Sequence, residues 1–411
     1  MPEFLHLLPP REAYARLLRH LPDAEPVAET LDVVHALGRV LAEDVRAPHP
    51  LPEFPRSSVD GYAVRAADTY GASESLPAYL TLVGEVPMGA APEFALAAGQ
   101  AALIHTGGML PEGADAVVML EYTQTAREGE VEILRAVADG ENVIRVGEDV
   151  AEGQVVMRKG SPIREAEVGG LMALGVESVR VARKVRVGVI STGDEVVPPS
   201  QRPAPGQVRD INSYTLSALV EHYGGEARRY GIVPDRFEAL REVAERALSE
   251  CDMVLITAGS SASTRDMTAE VINSLGKPGV VVHGINTRPG KPTILGVCDG
   301  KAVIGLPGNP VSALVNGYML VAPLIERLLG KRPRPRPTVR ARLTVNLPSQ
   351  AGREDWWPVR LLDGEDGEYR ADPIFGKSNL IFTLVAANGL LRIPPDATGL
   401  SAGEVVEVML I

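Results

Sequence analysis

Between Arg186 and Gly330, apolar strands and helical segments alternate with a regularity that leaves little choice of architecture. The order reads "VRVGVIST", "SYTLSALVEHYGG", "ARRYGIV", "DRFEALREVAERALSE", "DMVLITAG", "RDMTAEVINSLG", then "AVIGLPGNP" and "VSALVNGYMLVAPLIERLLG". A strand wet on one face would alternate polar and apolar residues. Strands that are apolar throughout, separated by helices of about 10–15 residues, belong in a parallel sheet covered on both faces. The expectation for residues 184–330 is an α/β/α domain.

The flanking sequence has a different grain. Residues 11–44 carry helical periodicity in "REAYARLLRHL" and "ALGRVLAEDV", whereas 46–140 is rich in Gly, Pro and short alternating runs such as "YLTLVGEV" and "EVEILRAV". A helix returns at "REAEVGGLMALG", with Pro162 before its start and Gly175 just past its end, where helix boundaries favour these residues. The expected plan is therefore a discontinuous N-terminal domain (1–45 plus 141–183) interrupted by a β-rich insertion domain (46–140). The segment "GKRPRPRPTVRAR" holds six basic residues among prolines. Proline favours an extended, stiff chain, so it reads as an interdomain linker in preference to a nucleic-acid arm. Residues 338–411 alternate around Gly turns as a C-terminal β-barrel domain would. The fold class expected is thus α/β multi-domain.

Composition narrows the partners. A chain of 411 residues suggests roughly two to four domains. A net charge of -12 speaks against nucleic acid and anionic membranes as partners, because both need a basic surface. Cys251 and Cys298 show no pairing pattern, so disulfides and thiolate metal sites are not expected. Without a basic, then apolar, leader pattern or a stretch of about 18 apolar residues, a soluble cytoplasmic protein is expected.

Ligands of open parallel sheets sit at the carboxyl ends of strands, where free N–H groups of helix N-termini favour anions. Three strands here end in glycine-containing loops. In "VLITAGSSASTRD" the small residues around Gly259 and Ser261 would let a phosphate approach the backbone, with Asp266 at the helix start. An ordinary capping turn with Asp266 in the first helical turn is an equally good reading of that loop alone. In "VISTGDEVV" the pair Asp194-Glu195 supplies hard oxygen ligands suited to Mg²⁺ beside a phosphate. In "GLPGNPVSA", Pro307, Gly308 and Pro310 shape a helix entry, with Asn309 or Ser312 supplying its polar group. "RPGKP" adds two cations, Arg288 and Lys291, in a proline-stiffened turn able to grip a tetrahedral oxyanion.

The order of "SSVDGYAVR", "HTGGMLPEGADAVVMLE", "GEDV", "STGDEVV", "RPGKP" and "GLPGNPVSA" covers nearly the whole chain and resembles the MoeA family of molybdopterin molybdenumtransferases, related to the gephyrin E domain. The resemblance implies an elongated homodimer of four-domain chains whose α/β/α domain binds molybdopterin. It implies a reaction in which adenylylated molybdopterin is hydrolysed in the presence of molybdate, molybdenum enters the dithiolene and AMP leaves. It further implies Mg²⁺ as cofactor and the upstream adenylyltransferase as a partner. Carried over by motif, Asp60, Asp149, Glu195 and Asp266 are the implied catalytic residues, with Glu195 and Asp266 holding the metal. Thr106, Asp235, Gly259, Ser261, Pro307, Gly308 and Pro310 are the implied substrate contacts, and Arg288, Lys291, Pro292, Ser312 and Ser378 the implied molybdate set. Asp60 also has a plain reading, since Asp-Gly is a strong hairpin-turn signal.

Three departures mark this chain. Ala258, Ser260, Ala262 and Ser263 replace the usual Gly, Val, Val and Gly of the family's phosphate loop, and "RPGKP" replaces "KPGKP". An arginine that some relatives place in the fourth domain falls near Pro358, with Arg353 or Arg360 as substitutes. Two other functions compete with the transferase. A molybdopterin adenylyltransferase would not need the insertion or the terminal β domain, and a cofactor carrier or scaffold would keep the fold while losing the carboxylates.

Overall fold

The computed structural model describes residues 7–258, 262–364 and 367–411. At its centre is a six-stranded sheet in the order Gly225–Val233, Val185–Thr192, Met253–Ala258, Lys301–Pro307, Ile294–Cys298, Pro278–His283. The first four strands pair in parallel. Ile294–Cys298 runs antiparallel to both its neighbours, so the sheet is mixed where the alternating pattern predicts an all-parallel one. The cause is a hairpin at Asp299-Gly300, both with positive φ (48° and 84°), as the two-residue turn that matches strand twist demands.

Apolar residues cover both faces of this sheet. One face carries Val187, Leu255 and Ile304 against Leu216, Leu320 and Leu324; the other carries Ile190, Val254 and Ile256 against Leu240, Ala244 and Ile272. Ala13 and Leu17 of the first helix, Pro10–His20, join the former core. Helix Pro310–Asn316 continues through a π-helical stretch, Gly317–Val321, into Ala322–Leu328. Pro323 explains the irregularity, since it brings no N–H to the helical ladder. By length and composition this helix could cross a membrane, but Leu320, Val321, Leu324 and Ile325 are buried in the core.

The strands Ala28–Asp32 and Ser178–Ala182 pair antiparallel, and Val33, Leu41, Ile163, Leu171 and Val181 share one core, so chain segments far apart in sequence pack together. Helix Glu165–Ala173 has Gly175 at φ 66° just beyond it, as expected of a helix end. The helix expected around "ALGRVLAEDV" does not form. Only a 3₁₀ turn, Val33–His35, is present. Gly38 at φ 76° breaks the run, and the Arg39 carbonyl and Leu41 N–H bond instead to Ile163 and Ser161. Between these segments lies a six-stranded sheet ordered Ala116–Met119, Gly61–Val64, Gln100–Ile104, Ala78–Glu85, Glu130–Ile133, Thr123–Arg127.

At the C-terminus, Glu354–Asp363, Tyr369–Pro373, Thr338–Leu343, Val405–Leu410 and Gly389–Ile393 close into a five-stranded barrel around Leu343, Val359, Leu391 and Val408. A sixth strand, Thr287–Arg288, comes from the central unit and lies parallel to Glu354 and Asp355 of the barrel. The proline-rich connection is docked on both sides: Arg332 N–H donates to Gly160 O (2.9 Å) and Arg336 Nη2 to Tyr318 O (2.6 Å). Those contacts are what a stiff linker needs.

Candidate active site

Two cavities open along the carboxyl edge of the central sheet. The first, about 610 Å³, is lined by Ser191, Thr192, Glu195, Asn212, Gly308 and Pro310 among others. The second, about 680 Å³, lies against the barrel and is lined by Arg288, Lys291, Pro292, Ser312 and Ser378. Asn309 and Asn379 border both, so the two cavities adjoin and together form a trough-like site.

In the first cavity, the turn after strand Val185–Thr192 needs Gly193. It has φ 142°, and a Cβ there would meet Val196 Cγ2 at 2.7 Å and Glu195 Oε2 at 2.8 Å. The Asp235 N–H donates to Asp194 Oδ1 at 3.2 Å, drawing a third carboxylate to the edge. Burial pushes the Asp235 carboxyl above its ordinary value; Thr192 nearby eases it down, while Asp194 and Glu195 push it further up. Neither Thr192 Oγ1 nor Asp235 Oδ1 makes a hydrogen bond of full geometry, and Asn212 Oδ1 is likewise buried without a partner. Thr192 lies close enough to Asp235 to lower its carboxyl, so Asn212 Oδ1, in the cavity lining, is the buried atom whose bonding a polar ligand would complete. Asn212 is held by its amide, which donates to Gly308 O at 2.8 Å.

The second cavity collects cations. Arg288 and Lys291 of "RPGKP" face Lys377 and Arg353 from the barrel. Gly290 has φ 106°, and its Cβ would fall 2.1 Å from Asn316 Nδ2, so this turn requires glycine. Asn309 does not cap the helix that it precedes, as had been expected of it or Ser312. Its amide donates instead to Ser378 Oγ at 3.0 Å, and Val311 N–H donates to Ser378 O at 3.0 Å. Of the two candidate arginines, Arg353 lines the cavity, whereas Arg360 is exposed and its Nε reaches Ala386 O at 3.4 Å.

The remaining expected residues lie elsewhere. Asp60 precedes a strand, and Gly61 packs so close to the next strand that a Cβ would meet Val118 O at 1.9 Å. Gly61 has no positive φ, so the plain hairpin-turn reading of Asp-Gly is set aside. Asp60 Oδ1 accepts from Thr106 N–H (2.7 Å) and Thr106 Oγ1–H (3.0 Å), with His105 Nδ1 at 3.9 Å. These bonds, the backbone one foremost, hold the exposed Asp60 carboxyl below its ordinary value. Asp149 is exposed on a turn tied by its N–H to Leu51 O at 3.0 Å. Among the described residues no hydrogen bond or ion pair joins Asp60, Thr106 or Asp149 to the trough. Asp266 is exposed, and the helix Ala262–Ser274 has no acidic residue in its first turn, which overturns the first-turn reading of Asp266. Gly259, Ser260 and Ser261, the heart of the expected phosphate loop, lie outside the described residues, as do the side chains of Ala262 and Ser263.

Sequence reasoning missed Asn212, Lys377 and Asn379 as lining residues. Asn212 alone had a local signal, as a polar residue opening a helix after a strand; the other two reach the trough only because the barrel docks there.

Three family models match in order along the chain: MoeA N-terminal region (domain I and II) at residues 8–175, probable molybdopterin binding domain at 188–327, and MoeA C-terminal region (domain IV) at 340–411. The molybdopterin molybdenumtransferase of Haemophilus influenzae is 33% identical over 97% of this chain and 97% of its own length. This chain belongs to the MoeA family. A second molybdopterin molybdenumtransferase, from Nostoc, is 34% identical, with 94% of this chain and 89% of the relative covered. Two solved structures of the molybdopterin biosynthesis MoeA protein of Pyrococcus horikoshii share the MoeA fold seen here. One matches with a TM-score of 0.87 at 35% identity, covering 98% of this chain and 100% of its own. The other matches with a TM-score of 0.82 at 39% identity, covering 98% and 99%.

Proposed function

We propose that the chain is a molybdopterin molybdenumtransferase of molybdenum cofactor biosynthesis, which inserts molybdenum from molybdate into adenylylated molybdopterin and releases AMP. The observation that carries the reading is the trough. A cavity lined by Arg288, Lys291, Arg353 and Lys377 adjoins one lined by Glu195 and Asp210, so molybdate and the pterin's pyrophosphate can lie side by side. Arg288, Lys291, Ser312 and Ser378 hold the oxyanion, and Thr192, Asn212, Asp235, Pro307, Gly308 and Pro310 border the pterin substrate.

Hydrolysis of the phosphoanhydride requires charge neutralisation and an oriented water. No group of three or more metal-ligating side chains occurs among the described residues. The crowding of Asp194, Glu195 and Asp235 nonetheless leaves negative charge that a cation relieves. Together these fit an ion such as Mg²⁺ that takes most of its ligands from water and substrate phosphate. Glu195 and Asp266 would hold it, and when bound it would neutralise the phosphates. Asp60, kept ionised and oriented by Thr106, together with Asp149, closes the site from a second chain of a homodimer. Two buried cysteines, neither paired, suit a reducing cytoplasm, where the adenylyltransferase that makes the substrate would be the natural donor. Incubating the purified protein with adenylylated molybdopterin, Mg²⁺ and molybdate should release AMP and yield active cofactor. Binding without AMP release would favour a carrier instead.

A further inference from the structure

Part of the wall of the cationic cavity comes from a barrel strand and the residue before it, through Arg353, Trp356, Trp357 and Pro358. Side chains alternate along Glu354–Asp363, so Arg353, just before it, shares a face with Asp355 and Trp357. Asp355 is fully buried, at 0% exposure, where an unpaired carboxylate would be costly. Arg353 grips it with both arms of one guanidinium edge, Nε to Oδ1 at 2.6 Å and Nη2 to Oδ2 at 2.9 Å. Arg288 Nη1 approaches Oδ2 of the same carboxylate at 3.9 Å from the central unit. The Arg288 guanidinium also lies over the Trp357 ring, 5.5 Å from its centroid, and Phe375 packs edge-on against that ring, also at 5.5 Å.

We propose that Asp355 is a positioning residue for oxyanion binding. It fixes Arg288 and Arg353 as a pair, with Trp357 as the plate beneath Arg288. The inference rests on the reading of this cavity as the molybdate site. Arg353 donates Nε and Nη2 to Asp355 and reaches Gln350 Oε1 with Nη1 at 3.4 Å, so the carboxylate fixes the direction in which its remaining N–H groups face. Long side chains pinned before the ligand arrives also lose less entropy on binding it.

Calorimetric titration with molybdate, and separately with sulfate, tests this in folded Asp355→Asn, Asp355→Glu, Trp357→Leu and Lys291→Ala proteins. Asp355→Asn should weaken molybdate binding per folded molecule on the order of tenfold, as losing an orienting partner of a ligand-holding side chain does. Binding of sulfate, a tetrahedral dianion like molybdate, should weaken in parallel, and Asp355→Glu should recover part of the loss. A purely structural carboxylate would lower thermal stability and leave affinity intact, which overturns the proposal. If Lys291→Ala loses binding while Asp355→Asn keeps it, the cavity stands and only the positioning role falls. If neither variant changes binding, the cavity assignment falls and takes this role with it. Should Asp355→Asn fail to fold, Trp357→Leu decides: weaker molybdate binding supports the proposal, and unchanged binding overturns it.

Discussion

Thr106 donates twice to a single oxygen of Asp60, through its backbone N–H at 2.7 Å and its hydroxyl at 3.0 Å. The backbone bond is the larger influence on the carboxyl. Thr106→Val should therefore raise the Asp60 pKa only part of the way to its ordinary value while loosening the side chain's aim. A carboxyl NMR titration reads the first effect, and a fall in AMP release reads the second.

In the proposed shared site Asp60, which makes no hydrogen bond or ion pair to the trough among the described residues, comes from a second chain. Asp60→Asn and Asp266→Asn proteins should each be nearly inactive, yet mixing and reassembling them should restore activity through heterodimers with one intact site. A monomer in solution, or mixtures that stay inactive, would defeat the shared-site arrangement.

Glu195 borders the substrate cavity and folds back over Gly193. Replacing it with Gln keeps the shape and removes the charge. Adenylylated molybdopterin should still bind, whereas AMP release should fall on the order of 10²–10³-fold, as for loss of a group acting on transition-state charge. Normal turnover would remove Glu195 from the chemistry.

Asp235 makes a prediction about stability and pH. Its carboxyl is raised in the fold, first by burial. A raised carboxyl favours the folded state when protonated, so that contribution is present below the ordinary carboxylate value of about 4 and is lost as pH rises through the raised value. Asp235→Asn should abolish this component and be more stable than the parent at neutral pH, while binding substrate less well. Urea midpoints measured from about pH 4 to 7 would show it. A variant that is less stable at neutral pH would contradict the account.

Gly290→Ala should be damaging although it adds one methyl group. The new Cβ would collide with Asn316 Nδ2, which donates to Gly290 O at 3.1 Å, in a backbone conformation rare for L residues. Overpacking of this kind costs roughly 1–3 kcal/mol. A lower melting temperature together with weakened molybdate binding is expected, because Arg288 and Lys291 flank the displaced turn.

The strands of the central sheet were legible because burial on both faces writes itself as unbroken apolar runs, as in Met253–Ala258. The reversed strand was not, since Ile294–Cys298 is as fully buried as its parallel neighbours and only Asp299-Gly300 betrays its direction. The false helix near Leu41 arose from apolar spacing that serves a backbone ladder with Ser161 and Ile163, a partner more than a hundred residues away. The same distance in sequence hid part of the candidate site. "RPGKP" advertised Arg288 and Lys291 locally and the family pattern offered Arg353, but Asp355 and Lys377 gain their places from a docking of the barrel that no short window records.

That docking gives the cavity a second character. Its wall is sewn to the central unit by a seam two residues long, Thr287 and Arg288 beside Glu354 and Asp355. Cations on both sides of the seam face the same space. A dianion there would contact both units at once, adding its grip to the apolar packing of Val311 and Val315 against Trp356, Leu390 and Met409. Its binding free energy would then count towards the stability of that joint as well.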